Sequence, residues 1–129
     1  MTLRPSISSM FVSKADDNDI SPKIVIEIPK GMNTAEIYIH AIVIMKIGHS
    51  YKLQLFNRKD PDTCIYEINL NHQDKLPITN YFSTIDIAAV SDVTEIPSDK
   101  SFEYIYSLVE DEIVIDTKNT FIYFKEMDD

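Results

Sequence analysis

Hydrophobic and polar residues alternate along most of this chain with the period of two that a half-buried β-strand imposes. Ile24, Ile26 and Ile28 share one face, Val25 and Glu27 take the other, and Pro29 ends the run. Residues 36–47 form the longest predicted strand, with Ile37, Ile39, Ala41, Val43 and Met45 on one face and Tyr38, His40, Ile42 and Ile44 on the other. Both faces are apolar in the middle. That pattern predicts a central strand covered on both sides, or one that bends from one sheet into another, and its β-branched density argues against a helix.

Further strands follow at short intervals. Gly48, His49 and Ser50 lead into Tyr51, Leu53 and Leu55, which reads as a hairpin with Gly48 supplying a positive φ. The polar stretch of residues 57–62 reads as a turn before Cys64, Tyr66, Ile68 and Leu70, which share a face. Ile85, Ile87 and Ala89 alternate with Asp86 and Ala88 within residues 81–93, and Phe102, Tyr104, Tyr106 and Leu108 alternate with Glu103, Ile105 and Ser107. Glu110, Asp111 and Glu112 predict a hairpin tip leading to Ile113 and Ile115. Lys118-Asn119 reads as a second tight turn before a final strand over residues 121–124. At most a short helix fits between residues 71 and 82, because Pro77 limits it.

About eight strands at this spacing predict an all-β, single-domain antiparallel β-sandwich, since βαβ units would need long helical crossovers. The arrangement is similar to immunoglobulin-like or jelly-roll sandwiches, without the Cys and Trp signature of antibody-type domains. Residues 1–22 read as an N-terminal arm. It holds one short strand around Ile7, Met10, Phe11 and Val12, whose period the serines blur, and a polar loop over residues 14–19. Residues 23–125 form the sandwich, and residues 126–129 an acidic tail.

Composition narrows the function more than it defines it. At 14.8 kDa and 44% hydrophobic residues, the chain is large enough to bury a core without covalent staples. A formal net charge of -9 opposes capture of a phosphate backbone, so ordinary nucleic-acid binding is not expected. The longest apolar run carries Tyr38, His40 and Lys46, so no membrane association is expected. A single cysteine rules out an internal disulfide, and a cytoplasmic location is expected.

Candidate chemistry is sparse. With only Gly31 and Gly48, the chain contains no phosphate loop, nucleophile elbow or dinucleotide fingerprint. His40, His49 and His72 lack any spacing that would gather two imidazoles on one face. His40 therefore reads as a half-buried or core histidine and the other two as surface residues. Asp16, Asp17, Asn18 and Asp19 resemble part of a calcium loop but lack its glycine and closing glutamate. Cys64 reads as a small core residue. No cofactor or metal is expected, and catalysis is the less favoured reading.

Seven tyrosines and six phenylalanines remain as a resource. Phe56, Tyr81, Phe82, Ile42, Ile44 and Phe124 lie next to loops or on strands apolar on both faces, which makes them candidates for an interface. The sequence thus predicts a non-catalytic protein-binding or structural module, with a protein partner or a second copy as its target. Two alternatives follow from other features. One is an acidic inhibitor that mimics nucleic acid through Asp16, Asp17, Asp19, Glu110, Asp111, Glu112 and the terminal acids. The other is an enzyme with a non-local site near His40 or Cys64.

Overall fold

Among the described residues nine strands carry the fold: β1 (Ser6–Lys14), β2 (Val25–Ile28), β3 (Ala35–Lys46), β4 (Lys52–Asn57), β5 (Asp60–Asn69), β6 (Leu76–Pro77), β7 (Phe82–Val93), β8 (Ser101–Glu110) and β9 (Ile113–Glu126). The computed structural model describes residues 3–15, 24–32, 34–72, 75–93 and 101–126. Residues 16–19 of the predicted polar loop, with its calcium-like aspartates, residues 94–100 and the last three residues of the tail lie outside them. Among the described residues, the only helical element is a single 3-10 turn at Leu70–His72, and no helix is long and apolar enough to cross a membrane.

The strands form two sheets. The first has the order β1-β3-β7-β6 and the second β2-β9-β8-β4-β5. All pairings are antiparallel except that β2 runs parallel to β9. The all-β sandwich is as the alternation predicts. Its core collects Ile37, Ile39, Ala41, Val43 and Met45 of β3 with Leu53 and Leu55 of β4, Ile85 and Ile87 of β7, and Tyr104, Tyr106 and Leu108 of β8. Each such aliphatic side chain contributes about 1.5–3 kcal/mol on burial, offset by the entropy of ordering it.

Several connections differ from the sequence reading. β3 and β4 are not a hairpin: Gly48, at φ 85°, carries the chain from the first sheet across to the second. The crossing lets the inward faces of both strands bury in one core, whereas a hairpin would set them side by side in one sheet. Tyr51 locks the crossing, because its N–H donates to Asn71 Oδ1 at 3.2 Å and its carbonyl accepts from Leu70 N at 3.0 Å. No turn occurs at Lys118-Asn119 either. β9 runs straight through, with Lys118 opposite Tyr106 and Asn119 opposite Ile105. Polar residues there mark an exposed strand, and Asn119 Nδ2 ties it to Glu103 Oε2 at 2.7 Å.

The short strand expected within the N-terminal arm is β1, an edge strand of the first sheet that contributes Ile7 and Val12 to the core. Its blurred period has a physical cause, a register shift between Ile7 and Ser9 against β3. The hairpin at the β8–β9 tip is present, with Asp111 at φ 53° and Glu112 at φ 67°. Ile24, expected to share the buried face of Ile26 and Ile28, precedes β2 and is exposed.

Candidate binding face

β3 is the key to the surface as well as to the core. It is flanked by β1 and β7, but no third layer covers its outer side among the described residues, so Tyr38, His40, Ile42 and Ile44 lie half-buried on an open sheet face. The register adds neighbours on both sides. On β1, Ser13 lies opposite Tyr38, Phe11 opposite His40 and Ser9 opposite Ile42. On β7, Val90 lies opposite Tyr38, Ala88 opposite His40 and Asp86 opposite Ile42. Directly opposed residues in an antiparallel pair project to the same face, so these side chains make one surface.

His40 sits at its centre. Phe11 stacks on the imidazole at 4.3 Å between centroids and 9° between planes, and Tyr38 meets it edge-on at 6.1 Å and 68°. The Ser13 hydroxyl lies 2.7 Å from His40 Nε2. Burial lowers the imidazole pKa below its ordinary value, and the nearby Asp86 carboxylate opposes that shift in part. The group is therefore neutral at neutral pH, held as a flat, amphipathic plate between two aromatic rings.

Ser13 is 1% exposed, so its hydroxyl lies beneath the surface against the imidazole. Cys64 is a further departure from expectation. It lies exposed on the edge strand β5, where a register shift between Leu55 and Phe56 of β4 turns it away from the core, and its thiol donates to Tyr66 O at 3.1 Å. No group of three or more histidine, cysteine, aspartate or glutamate side chains that could hold a metal ion occurs among the described residues.

The predicted interface residues separate into three groups. Ile42, Ile44 and Phe82 lie on the outer face of the first sheet, with Tyr81 exposed just before β7. Phe56 is half-buried on the outer face of the second sheet, opposite Ile105. Phe124 is 1% exposed and belongs to the core, where it meets Phe102 edge-on at 5.6 Å. The parity of β9 explains this correction: Ile122 and Phe124 point inward, which leaves Phe121 as the exposed aromatic. Phe11, Tyr38 and Val90 were not predicted for this surface. The signal for Val90 was present in the alternation of β7, whereas Phe11 depends on a register that the sequence does not reveal.

The outer face of the second sheet is different in character. Gln54 Nε2 donates to Glu67 Oε1 at 2.8 Å, and Arg58 and Asn119 both reach Glu103 Oε2, so polar pairs occupy much of it. His49 Nδ1 and Glu110 Oε2, 2.7 Å apart, make another such pair at its end. The first sheet presents an aromatic and aliphatic stripe across three strands, with Glu36, Lys46, Asp86 and Asp92 around it.

Fold and surface together define an all-β sandwich with an apolar stripe on the outer face of its first sheet. No protein-family profile matches the chain, and no curated protein matches it in sequence. Among solved structures, the chain is similar to a glycosyl hydrolase family 2 member from Bacteroides cellulosilyticus DSM 14838, with a TM-score of 0.51 and 10% sequence identity over 92% of this chain. A structure of a family 2 member from the same species obtained from microfluidic crystals gives the same TM-score and identity. The chain spans only 15% of the first hydrolase and 14% of the second. At this identity the likeness is one of fold, and fold alone does not carry an activity.

Proposed function

We propose that the chain is a non-catalytic protein-binding module that docks its partner on the outer face of the first sheet. The observation that carries this reading is the stripe in which Phe11, His40 and Tyr38 stack at the centre and Ile42, Ile44 and Val90 extend the surface. A contiguous patch of rigid aromatic and aliphatic side chains with a charged rim is the arrangement that stable interfaces use. The exposed, unpaired thiol of Cys64 supports a reducing, intracellular setting. The acidic-mimic reading is less well supported, because Glu110–Glu112 and Glu126 lie at opposite ends of β9, roughly 40 Å apart along the strand.

The test is affinity capture from the source cells with the wild-type chain, Ile42→Glu in the centre of the face, and Phe121→Glu on the other sheet. Ile42→Glu is expected to lose at least about tenfold of the captured partner, and Phe121→Glu to retain it. Equal capture by the two variants would show that the face is not the docking surface. Light scattering on the purified chain separates the remaining possibility, since a discrete dimer that Ile42→Glu dissolves would make the partner a second copy.

A further inference from the structure

The two strands at the open side of the sandwich are protected very differently. β5 carries Pro61, Asp60, Asp62 and Glu67, and its register with β4 shifts twice. Prolines, charges and bulges of this kind stop an edge strand from pairing with another chain. β7 has no such features apart from Asp86 and Asp92: it contains no proline or lysine and pairs with β3 without a register shift from Ala35 opposite Val93 to Lys46 opposite Phe82. On its other side β6 covers only Ser83 and Thr84.

The direction of the free backbone groups follows from the ladder. Antiparallel pairing sends the N–H and C=O of alternate residues to opposite sides of a strand. Ile47 N donates to Tyr81 O at 2.9 Å, whereas Phe82 O accepts from Ile78 N at 3.0 Å on the β6 side. Continuing that phase, Asp86, Ala88, Val90 and Asp92 turn their backbone groups away from β3, toward an edge that no other strand occupies among the described residues. Their side chains are exposed on the outer face.

We infer that β7 accepts an extended, basic segment of a partner protein as an added strand of the first sheet. This rests on the reading of the outer face as the docking surface, because outward side chains of the added strand would continue that face. Charge selects the partner. Asp86 and Asp92 lie six positions apart on one face, about 20 Å along the strand, so lysines or arginines at the same spacing would sit beside both carboxylates. A second copy fits poorly: each chain carries a net charge of -9, and a β7–β7 pairing centred on Ala89 sets Asp86 directly opposite Asp92 of the other copy.

The probe is the peptide Ser-Lys-Thr-Val-Thr-Thr-Ser-Lys-Ser, blocked at both ends, whose lysines match the aspartate spacing. Binding to the full chain is followed by fluorescence anisotropy and by amide shifts in nuclear magnetic resonance. The largest shifts are expected at Asp86, Ala88, Val90 and Asp92, and replacing both lysines with glutamate should weaken binding roughly tenfold or more. Of two peptides N-methylated on alternate sets of amides, one should lose binding and the other keep it, because only one edge of the added strand faces β7. Ala88→Pro removes an outward N–H without touching the β3 ladder and should abolish binding. The double variant Asp86→Lys, Asp92→Lys should reverse the preference in favour of the glutamate peptide, which decides the matter even where the proline variant misfolds. No binding, shifts elsewhere, or indifference to both N-methylation patterns overturns the inference. If the lysine peptide fails while Ile42→Glu still abolishes capture, the edge is wrong and the docking face stands. Peptide binding together with capture indifferent to Ile42→Glu would mean the converse, with the edge right and the docking face wrong.

Discussion

Tyr106 joins the two sheets through the middle of the core, and its removal can be worked through quantitatively. The side chain is fully buried on β8, and its hydroxyl donates to the carbonyl of Ile39 on β3 at 2.6 Å. Ile39 lies opposite Ala89 in the β3–β7 ladder, so Tyr106→Phe deletes one hydrogen bond without leaving that carbonyl an orphan. The expected loss is therefore the net value of a buried hydrogen bond, about 1 kcal/mol at neutral pH. For a domain of this size that lowers Tm by roughly 3–5 °C. Urea unfolding followed by circular dichroism should show a lower midpoint with an unchanged slope, because the surface exposed on unfolding is nearly the same.

Alkaline pH supplies the stricter check. Burial, with a smaller contribution from Tyr66, holds the Tyr106 hydroxyl well above the ordinary tyrosine pKa, and the Ala89 backbone only partly opposes it. The folded state keeps this proton while the unfolded state releases it near pH 10, so the stabilisation is complete below that pH and is lost as pH rises above it. Each such tyrosine costs about 1.4 kcal/mol per pH unit in that window. Tyr51 and Tyr104 are shifted in the same direction, chiefly by burial, and contribute to the decline in both proteins. Only the wild type also carries the Tyr106 share. The 1 kcal/mol advantage of the wild type should thus vanish near pH 11, at which the two unfolding curves are expected to meet at about the same midpoint. A difference that stays constant from neutral pH to about pH 11 would refute the reasoning, since it would mean that the hydroxyl ionises as readily in the fold as outside it.

Two further outcomes are open to measurement. Asp111 and Glu112 both occupy the left-handed region at the β8–β9 tip, where a glutamate is poorly accommodated, so Glu112→Gly should raise stability by about 0.5–1 kcal/mol; a lower thermal midpoint would count against the turn geometry. His40 has a lowered pKa, so the native state binds fewer protons than the unfolded one. Its stabilisation is present above about pH 6.5 and is lost as pH falls from there through the folded value. Asp86→Asn should steepen that acid loss and His40→Gln should remove it, with thermal midpoints measured from about pH 7.5 to 5 as the readout.

How much of this was legible in the sequence depends on whether a feature is set by local alternation or by pairing. The inward faces of β3, β7 and β8 follow from period-two patterning, because the burial of Ile37, Ile85 or Tyr104 is decided by its own strand. Ile42 and Ile44 could be singled out for the same reason, as apolar residues on the wrong side of a strand whose other side already fills the core. The stacking of Phe11 on His40 could not, since it joins residues 29 positions apart through a register that neither strand encodes alone. Turn chemistry was equally ambiguous at Gly48, where the same positive φ serves a hairpin within one sheet or a crossing between two.

Three of the residue-level departures share one cause. Successive side chains alternate faces, so one unpaired extra residue reverses every inference beyond it. The shift between Ile7 and Ser9 blurs the period of β1, so the short strand expected around Ile7 to Val12 reaches from Ser6 to Lys14. The shift between Leu55 and Phe56 pairs Cys64 with Phe56 and leaves Ile65 unmatched, which turns a cysteine expected in the core out to solvent. The shift between Leu108 and Val109 skips Ile115, and Ile113, Val114 and Ile115 are all exposed where alternation would bury some of them. β7, by contrast, keeps one register along its whole pairing with β3. That regularity makes it a strand whose faces alternation read correctly, and it gives the edge of β7 beyond β6, unoccupied by another strand among the described residues, one unbroken register for an added strand to match.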